Sequence, residues 1–205
     1  MTYATIIVDG SYLVRRPWEA GGAEACIGAS IGVLLDLAEA NPGAQRIVVW
    51  EGPPGGGAGG GRSNRRAIEL SYKAGRKPWD PALIALSAEL RQLYRQLGWA
   101  ECWCEDEADD AAAGLVARGL RFDFGEGPHP LPALSRPILL CSADHDWLQL
   151  VRPGVYVRRE WGREGETLSH ESGSEHLPAR SIVERTGLTA AGWTSYLALA
   201  GDPTI

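Results

Sequence analysis

Residues 100–117 read AECWCEDEADDAAAGLVA. A short apolar run, AECWC, ends in five carboxylates within the six positions Glu105 to Asp110, and the chain then passes straight into an alanine-rich apolar series. A strand followed at once by a helix accounts for the apolar halves. The acids between them need a separate reason, because like charges at the edge of a core repel strongly unless solvent or cations compensate them.

The same arrangement recurs along the chain. TIIV ends in Asp9, RIVVW ends in Glu51, and PILLCSA ends in Asp144 and Asp146. Continuous apolar runs of this length suit strands buried on both faces of a parallel sheet. Helical spacing lies between them. Ile27, Ile31, Leu34, Leu35 and Ala38 mark a helix over 23–40, stopped by Asn41-Pro42-Gly43. Asp80 is an N-cap with Pro81 at the first helical position, and Leu83, Leu86, Leu90, Leu93 and Leu97 form an apolar face closed by Gly98. Near the end, Ser181 with Glu184 forms a capping box, and Thr189 caps a last helix that carries Trp193. Residues 52–62 and 124–137 read as irregular loops. Alternating strands and helices give an α/β domain: a central, mostly parallel sheet flanked by helices.

In such a sheet the carboxyl ends of the strands line one crevice. Asp9, Glu51, the 105–110 group, Asp144 and Asp146 would therefore converge from four distant places in the sequence. Hard divalent cations that take oxygen ligands, Mg²⁺ or Mn²⁺, are the natural compensation. By itself the 105–110 group also suits the positive end of a helix dipole while staying solvated. Glu107 and Asp110, three apart, are expected to share a helix face, with Asp109 pointing elsewhere. His145 is read as a bystander, since hard metals prefer oxygen donors.

The 205 residues suit one domain, and the net charge of −6 taken alone argues against a nucleic-acid partner. The charge is unevenly spread. The only two lysines, Lys73 and Lys77, lie in RSNRRAIELSYKAGRK, residues 62–77, which also carries Arg62, Arg65, Arg66 and Arg76 against the single acid Glu69. That is a local basic patch, and it reads either as a solvated face or as a nucleic-acid contact. Trp79 beside it is a candidate stacking platform, while the other tryptophans read as packing anchors. Cys26, Cys102, Cys104 and Cys141 lack zinc or disulfide spacing and read as free thiols. With neither a signal peptide nor an apolar run of membrane-spanning length, a cytoplasmic protein without a membrane partner is expected.

Taken in order, VDGSYLVRR, VVWEG, RRAIELSYKAGRKPWDP, EADDAAAGLVA, LLCSADHDWLQLV and SIVERTGLTAAGWTSYLALAGDP span nearly the whole chain. This series resembles the 5′-nuclease family: flap endonucleases, bacteriophage 5′-exonucleases and the 5′-nuclease domain of bacterial DNA polymerase I. The resemblance implies a PIN-like, Rossmann-like catalytic domain over 1–205 with a helical arch or gateway. It also implies a two-metal site using Mg²⁺ or Mn²⁺, and hydrolysis of DNA phosphodiesters at 5′ ends or flaps in replication or repair.

Carried over residue by residue, the resemblance makes Asp9, Glu107, Asp109, Asp110, Asp144, Asp146 and Asp202 direct or water-mediated metal ligands. Lys73 and Arg76 become the residues that act on the scissile phosphate, and Arg62, Arg65, Arg66, Tyr72 and Lys77 join them in contacting nucleic acid. The chain departs from the family at two positions. Glu51 is a metal-ligand candidate where the family usually has Asp, and Ile205 stands at the second acid after Gly-Asp. The helical segment that grips duplex in relatives is expected to lie outside this chain or to come from a second protein or chain. Two alternatives share these residues: a PIN-type ribonuclease, and a non-catalytic nucleic-acid-binding or replication-assembly module descended from such a nuclease.

Overall fold

A computed structural model describes residues 2–51, 79–104, 107–118, 121–123, 128–130, 137–159, 167–169 and 180–200. The basic segment and the gateway expected around it, with Arg62, Arg65, Arg66, Tyr72, Lys73, Arg76 and Lys77, lie outside the described residues, as do Asp202 and Ile205.

The four expected strands form as β1 (Thr5–Asp9), β2 (Gln45–Glu51), β3 (Ala100–Cys104) and β6 (Ile138–Cys141). Two further strands, β4 (Arg121–Asp123) and β5 (Pro128–Pro130), pair antiparallel to one another, so the stretch 124–137 is not wholly irregular as expected. β7 (Val155–Arg158), β8 (Thr167–Ser169) and β9 (Arg180–Ser181) complete a seven-stranded sheet in the order β3-β2-β1-β6-β7-β8-β9. From β3 through β7 all pairings are parallel; β7 and β8 pair antiparallel. After β1 the chain builds outward through β2 and β3, then returns to the other side of β1 with β6 and β7. The boundary between β1 and β6 is therefore a topological switch point, where α/β sheets open a crevice at their carboxyl edge.

Helices cover both faces, and strand alternation divides the core between them. Ile6, Val8, Val48, Trp50 and Leu139 pack with helices α1 (Gly10–Ala40) and α2 (Pro81–Gln96). Ile7, Ile47, Val49, Ile138 and Leu140 pack on the other side with α3 (Ala108–Arg118), the 3₁₀ turn His145–Leu150 and α4 (Ile182–Thr186). Each such fully buried aliphatic side chain contributes about 1.5–3 kcal/mol of transfer free energy. A last helix, α5 (Ala190–Ala200), follows.

The capping expectations hold. Asp80 accepts from the Ala82 N–H at 2.8 Å, Ser181 and Glu184 form a capping box, and the Thr189 hydroxyl accepts from the Gly192 N–H at 3.1 Å.

Helix α1 differs from its reading in three ways. It begins thirteen residues earlier than expected, directly on the Asp9 cap, and it is interrupted at Gly21 and Gly22, where Gly22 has φ 68°. Its core-facing stripe is Cys26, Ser30, Leu34 and Leu37, leaving Ile27 and Leu35 exposed. Two stripes share the helical spacing, and the buried one places Cys26 and Ser30 beside Tyr94 of α2. At 31 residues, and with a most apolar 18-residue window of mean hydropathy 1.4, α1 is also long and apolar enough to cross a membrane, which the sequence reading did not anticipate. The helix is interrupted at Gly21 and Gly22 in this fold. Trp79, offered as a stacking platform, is half-buried against the α1–α2 side of the core. All four cysteines are free.

Gly10 shows how tightly the first turn of α1 is set against β2. A methyl group there would stand 2.5 Å from the ring of Trp50, a side chain with no solvent exposure and stacked on Trp103. Gly10→Ala should therefore destabilise the protein by about 1–3 kcal/mol, the usual cost of overpacking a closed core. Equilibrium denaturation checks this, and a midpoint equal to that of the unaltered protein would contradict the packing described.

Candidate metal centre

Asp9 is the last residue of β1 and the cap of α1, and two donors hold it in both roles. The Tyr12 N–H donates to Oδ1 at 3.1 Å, and the Ser142 hydroxyl donates to Oδ2 at 2.8 Å. Register explains the second contact. Val8 pairs with Cys141, so Ser142 comes level with Asp9 across the switch point. The Ser142 oxygen also accepts from the Asp144 N–H at 3.1 Å, and Asp144 in turn caps the 3₁₀ turn by accepting from the Asp146 N–H at 3.0 Å. One buried hydroxyl thus links the acid of β1 to both acids that follow β6.

The acids after β3 reach the same edge. Glu107 precedes α3, with its carbonyl accepting from the Ala111 N–H at 3.2 Å, while Asp109 lies in the first turn. Glu107, Asp109 and Asp146 each present an oxygen within 4.8 Å of the other two, and Glu107 and Asp109 are buried. This corrects the expected pairing of Glu107 with Asp110. Glu107 lies ahead of the helix, so helical angular spacing does not govern it; Asp109 turns inward and Asp110 is exposed.

Glu51 is half-buried at the end of β2, and Asp144 is exposed. Both charges act on Asp9. Burial drives the Asp9 carboxyl up to about 7, Glu51 and Asp144 push the same way, and the hydrogen bonds from Ser142 and Tyr12 oppose the rise.

The donor set fits a hard divalent cation. Every group is a carboxylate oxygen, three converge within coordination reach, and two of those three are buried, where an uncompensated anion is costly. His145 is not in this group; its ring Nε2 meets the Arg159 Nη2 at 2.9 Å.

No family model matches the chain. The flap endonuclease Xni of Shewanella piezotolerans is 25% identical over 201 residues, covering 96% of this chain and 67% of its own length. Xni of Serratia proteamaculans is 30% identical over 155 residues, 75% of this chain and 54% of its own length. The chain is similar to these flap endonucleases along most of its length. Solved structures of 5′-nucleases share its fold. A T5 protein co-crystallised with metal ions superposes with a TM-score of 0.62, and a bacteriophage T5 flap endonuclease complex with DNA and metal ions with 0.59. Each is 18% identical and is matched over 97% of this chain and 66% of its own length. The chain thus spans between about half and two thirds of the length of these 5′-nucleases.

Sequence reading missed Ser142, the residue that ties this acidic site together. A serine two positions before an acid carries no signal by itself; only the register of β6 on β1 gives it a partner.

The raised pKa of Asp9 gives a pH dependence with a definite sign. A carboxyl that binds its proton more tightly when folded contributes stability at acid pH, and that contribution is lost as pH rises toward about 7. With metal removed by chelator, the stability contributed by this group should therefore decline between pH about 4 and about 7. Asp9→Asn should flatten that decline and leave the metal-free protein more stable at pH 8. Denaturant midpoints across this range check it, and a pH profile unchanged by the substitution would contradict the described environment of Asp9.

Proposed function

We propose that the chain is the catalytic domain of a divalent-metal-dependent 5′-nuclease that hydrolyses DNA phosphodiesters at 5′ ends and flaps in the cytoplasm, with no membrane partner. The observation that carries this reading is the convergence of the Glu107, Asp109 and Asp146 oxygens within 4.8 Å of one another at the carboxyl edge of a parallel sheet. The relatives named flap endonuclease support the choice of reaction.

Mg²⁺ or Mn²⁺ is assigned to the site, with Glu107, Asp109 and Asp146 holding one ion and Asp9, Glu51, Asp110, Asp144 and Asp202 supplying further direct or water-mediated contacts. Bound there, such ions polarise a phosphodiester, lower the pKa of an attacking water and stabilise the departing oxygen. The chain's own residues position and neutralise. Ser142 and the Tyr12 N–H fix the Asp9 carboxylate from two sides, and Glu107 and Asp109 are themselves buried. Lys73 and Arg76 are assigned to the scissile phosphate, where a cation counters charge that grows in the transition state. Arg62, Arg65, Arg66, Tyr72 and Lys77 are assigned to the nucleic-acid path leading to it.

The test is cleavage of a 5′-flapped DNA by the purified chain in Mg²⁺ or Mn²⁺, with the same flap in RNA as a second arm. Metal-dependent cleavage of the DNA is expected, falling to the chelator-treated background in Asp109→Asn or Asp146→Asn while the fold persists. Lys73→Ala should lower turnover by about 10²–10³-fold, the scale of one lost transition-state contact. Preference for the RNA flap would replace this reading with a ribonuclease. Absence of cleavage of either substrate would leave a nucleic-acid-binding module.

A further inference from the structure

The 3₁₀ turn His145–Leu150 brings Asp146 into the carboxylate group, and such a turn holds itself poorly, because its internal hydrogen bonds are few and badly aligned. Its position therefore depends on ties from outside. The peptide unit joining His145 to Asp146 has two of them. At one end the Asp146 N–H donates to the Asp144 Oδ1 at 3.0 Å, and at the other the His145 carbonyl accepts from the Trp193 indole N–H at 3.1 Å. A peptide unit is planar, so fixing both of its polar ends fixes the plane that carries the Asp146 Cα.

Trp193 reaches this peptide from the first turn of α5, where its own N–H donates to the Thr189 carbonyl at 2.7 Å. Its side chain is half-buried against the α3 side of the core, with the ring centre 6.0 Å from that of His145. A second tie joins α5 to the same turn further along: the Thr194 hydroxyl donates to the Gln149 Oε1 at 3.4 Å. The sequence reading placed Trp193 among the packing anchors. Packing alone would not need the indole N–H, the single polar atom of the ring. Here that atom is used on the one peptide unit that leads into a carboxylate of the candidate metal centre.

We propose that Trp193 is a positioning residue for the divalent ion: through the His145–Asp146 peptide its indole N–H holds the Asp146 carboxylate in reach of Glu107 and Asp109. This rests on the metal-dependent reading above and adds α5 to the elements that shape the site. Trp193 acts through the peptide unit rather than on the ion.

The experiment measures Mn²⁺ affinity of the chain without nucleic acid, from the loss of the free-ion EPR signal at pH about 8, where histidine and carboxyl groups are deprotonated. Two substitutions separate the hydrogen bond from the packing. Trp193→Phe keeps an aromatic ring and has no N–H, whereas Trp193→His keeps an N–H at the equivalent ring position and loses the second ring. Losing an outer partner of a metal ligand costs about 10–100-fold in affinity, and Trp193→Phe should weaken Mn²⁺ binding by about 10-fold. Trp193→His should recover most of that loss, even where its unfolding midpoint is the lower of the two. A role in packing alone would rank the two variants the other way. Affinity in Trp193→Phe equal to that of the unaltered chain, or affinity in Trp193→His as low as in Trp193→Phe or lower, would overturn the positioning role while leaving the metal centre intact. Failure of the unaltered chain to bind Mn²⁺ at all would overturn both.

Discussion

The Ser142 hydroxyl, fully buried and 2.8 Å from Asp9, lies at the boundary where strand order reverses. Donating to Asp9 and accepting from Asp144, it converts the parallel pairing of β1 with β6 into a fixed spacing between carboxylates. The position of the 3₁₀ turn follows from this link through the Asp144 cap, and with it the position of Asp146. Asp146 then meets Glu107, just ahead of α3, and Asp109 in its first turn. The other half of the arrangement depends on Gly10, whose lack of a side chain lets α1 start immediately after Asp9 against Trp50.

Repulsion among these acids is what the site has to resolve. Burial drives Asp9 toward its neutral form, and Glu51 and Asp144 add to that tendency. In the absence of a cation, a proton is the available compensation; a divalent ion would displace it and supply more charge. The cationic side chains at this edge are placed differently. The Arg159 Nη2 meets the Ala143 carbonyl and the His145 ring at this edge.

Much of this was legible in the sequence. Buried parallel strands are continuous apolar runs, and TIIV, RIVVW, AECWC and ILLC all became strands ending at the acidic edge. Caps such as Asp80 and Ser181 are local and were readable for the same reason. What escaped depends on contacts between distant segments. The buried stripe of α1 was obscured because Ile27 and Leu35 are more apolar than Cys26 and Ser30, which face inward with the sheet and Tyr94. Asp109 was turned the wrong way because helical spacing was extended to Glu107, which lies before the helix. Ser142 has no local signature, since it owes its contacts to strands joined across the switch point.

The central claim is that a divalent ion belongs between Glu107, Asp109 and Asp146. Anomalous scattering from a crystal of the chain grown with Mn²⁺ tests it most directly. The expected result is a strong anomalous peak within coordination distance of one oxygen from each of those three carboxylates. Clear density for the three side chains with no peak among them, or Mn²⁺ bound only elsewhere, would contradict the account.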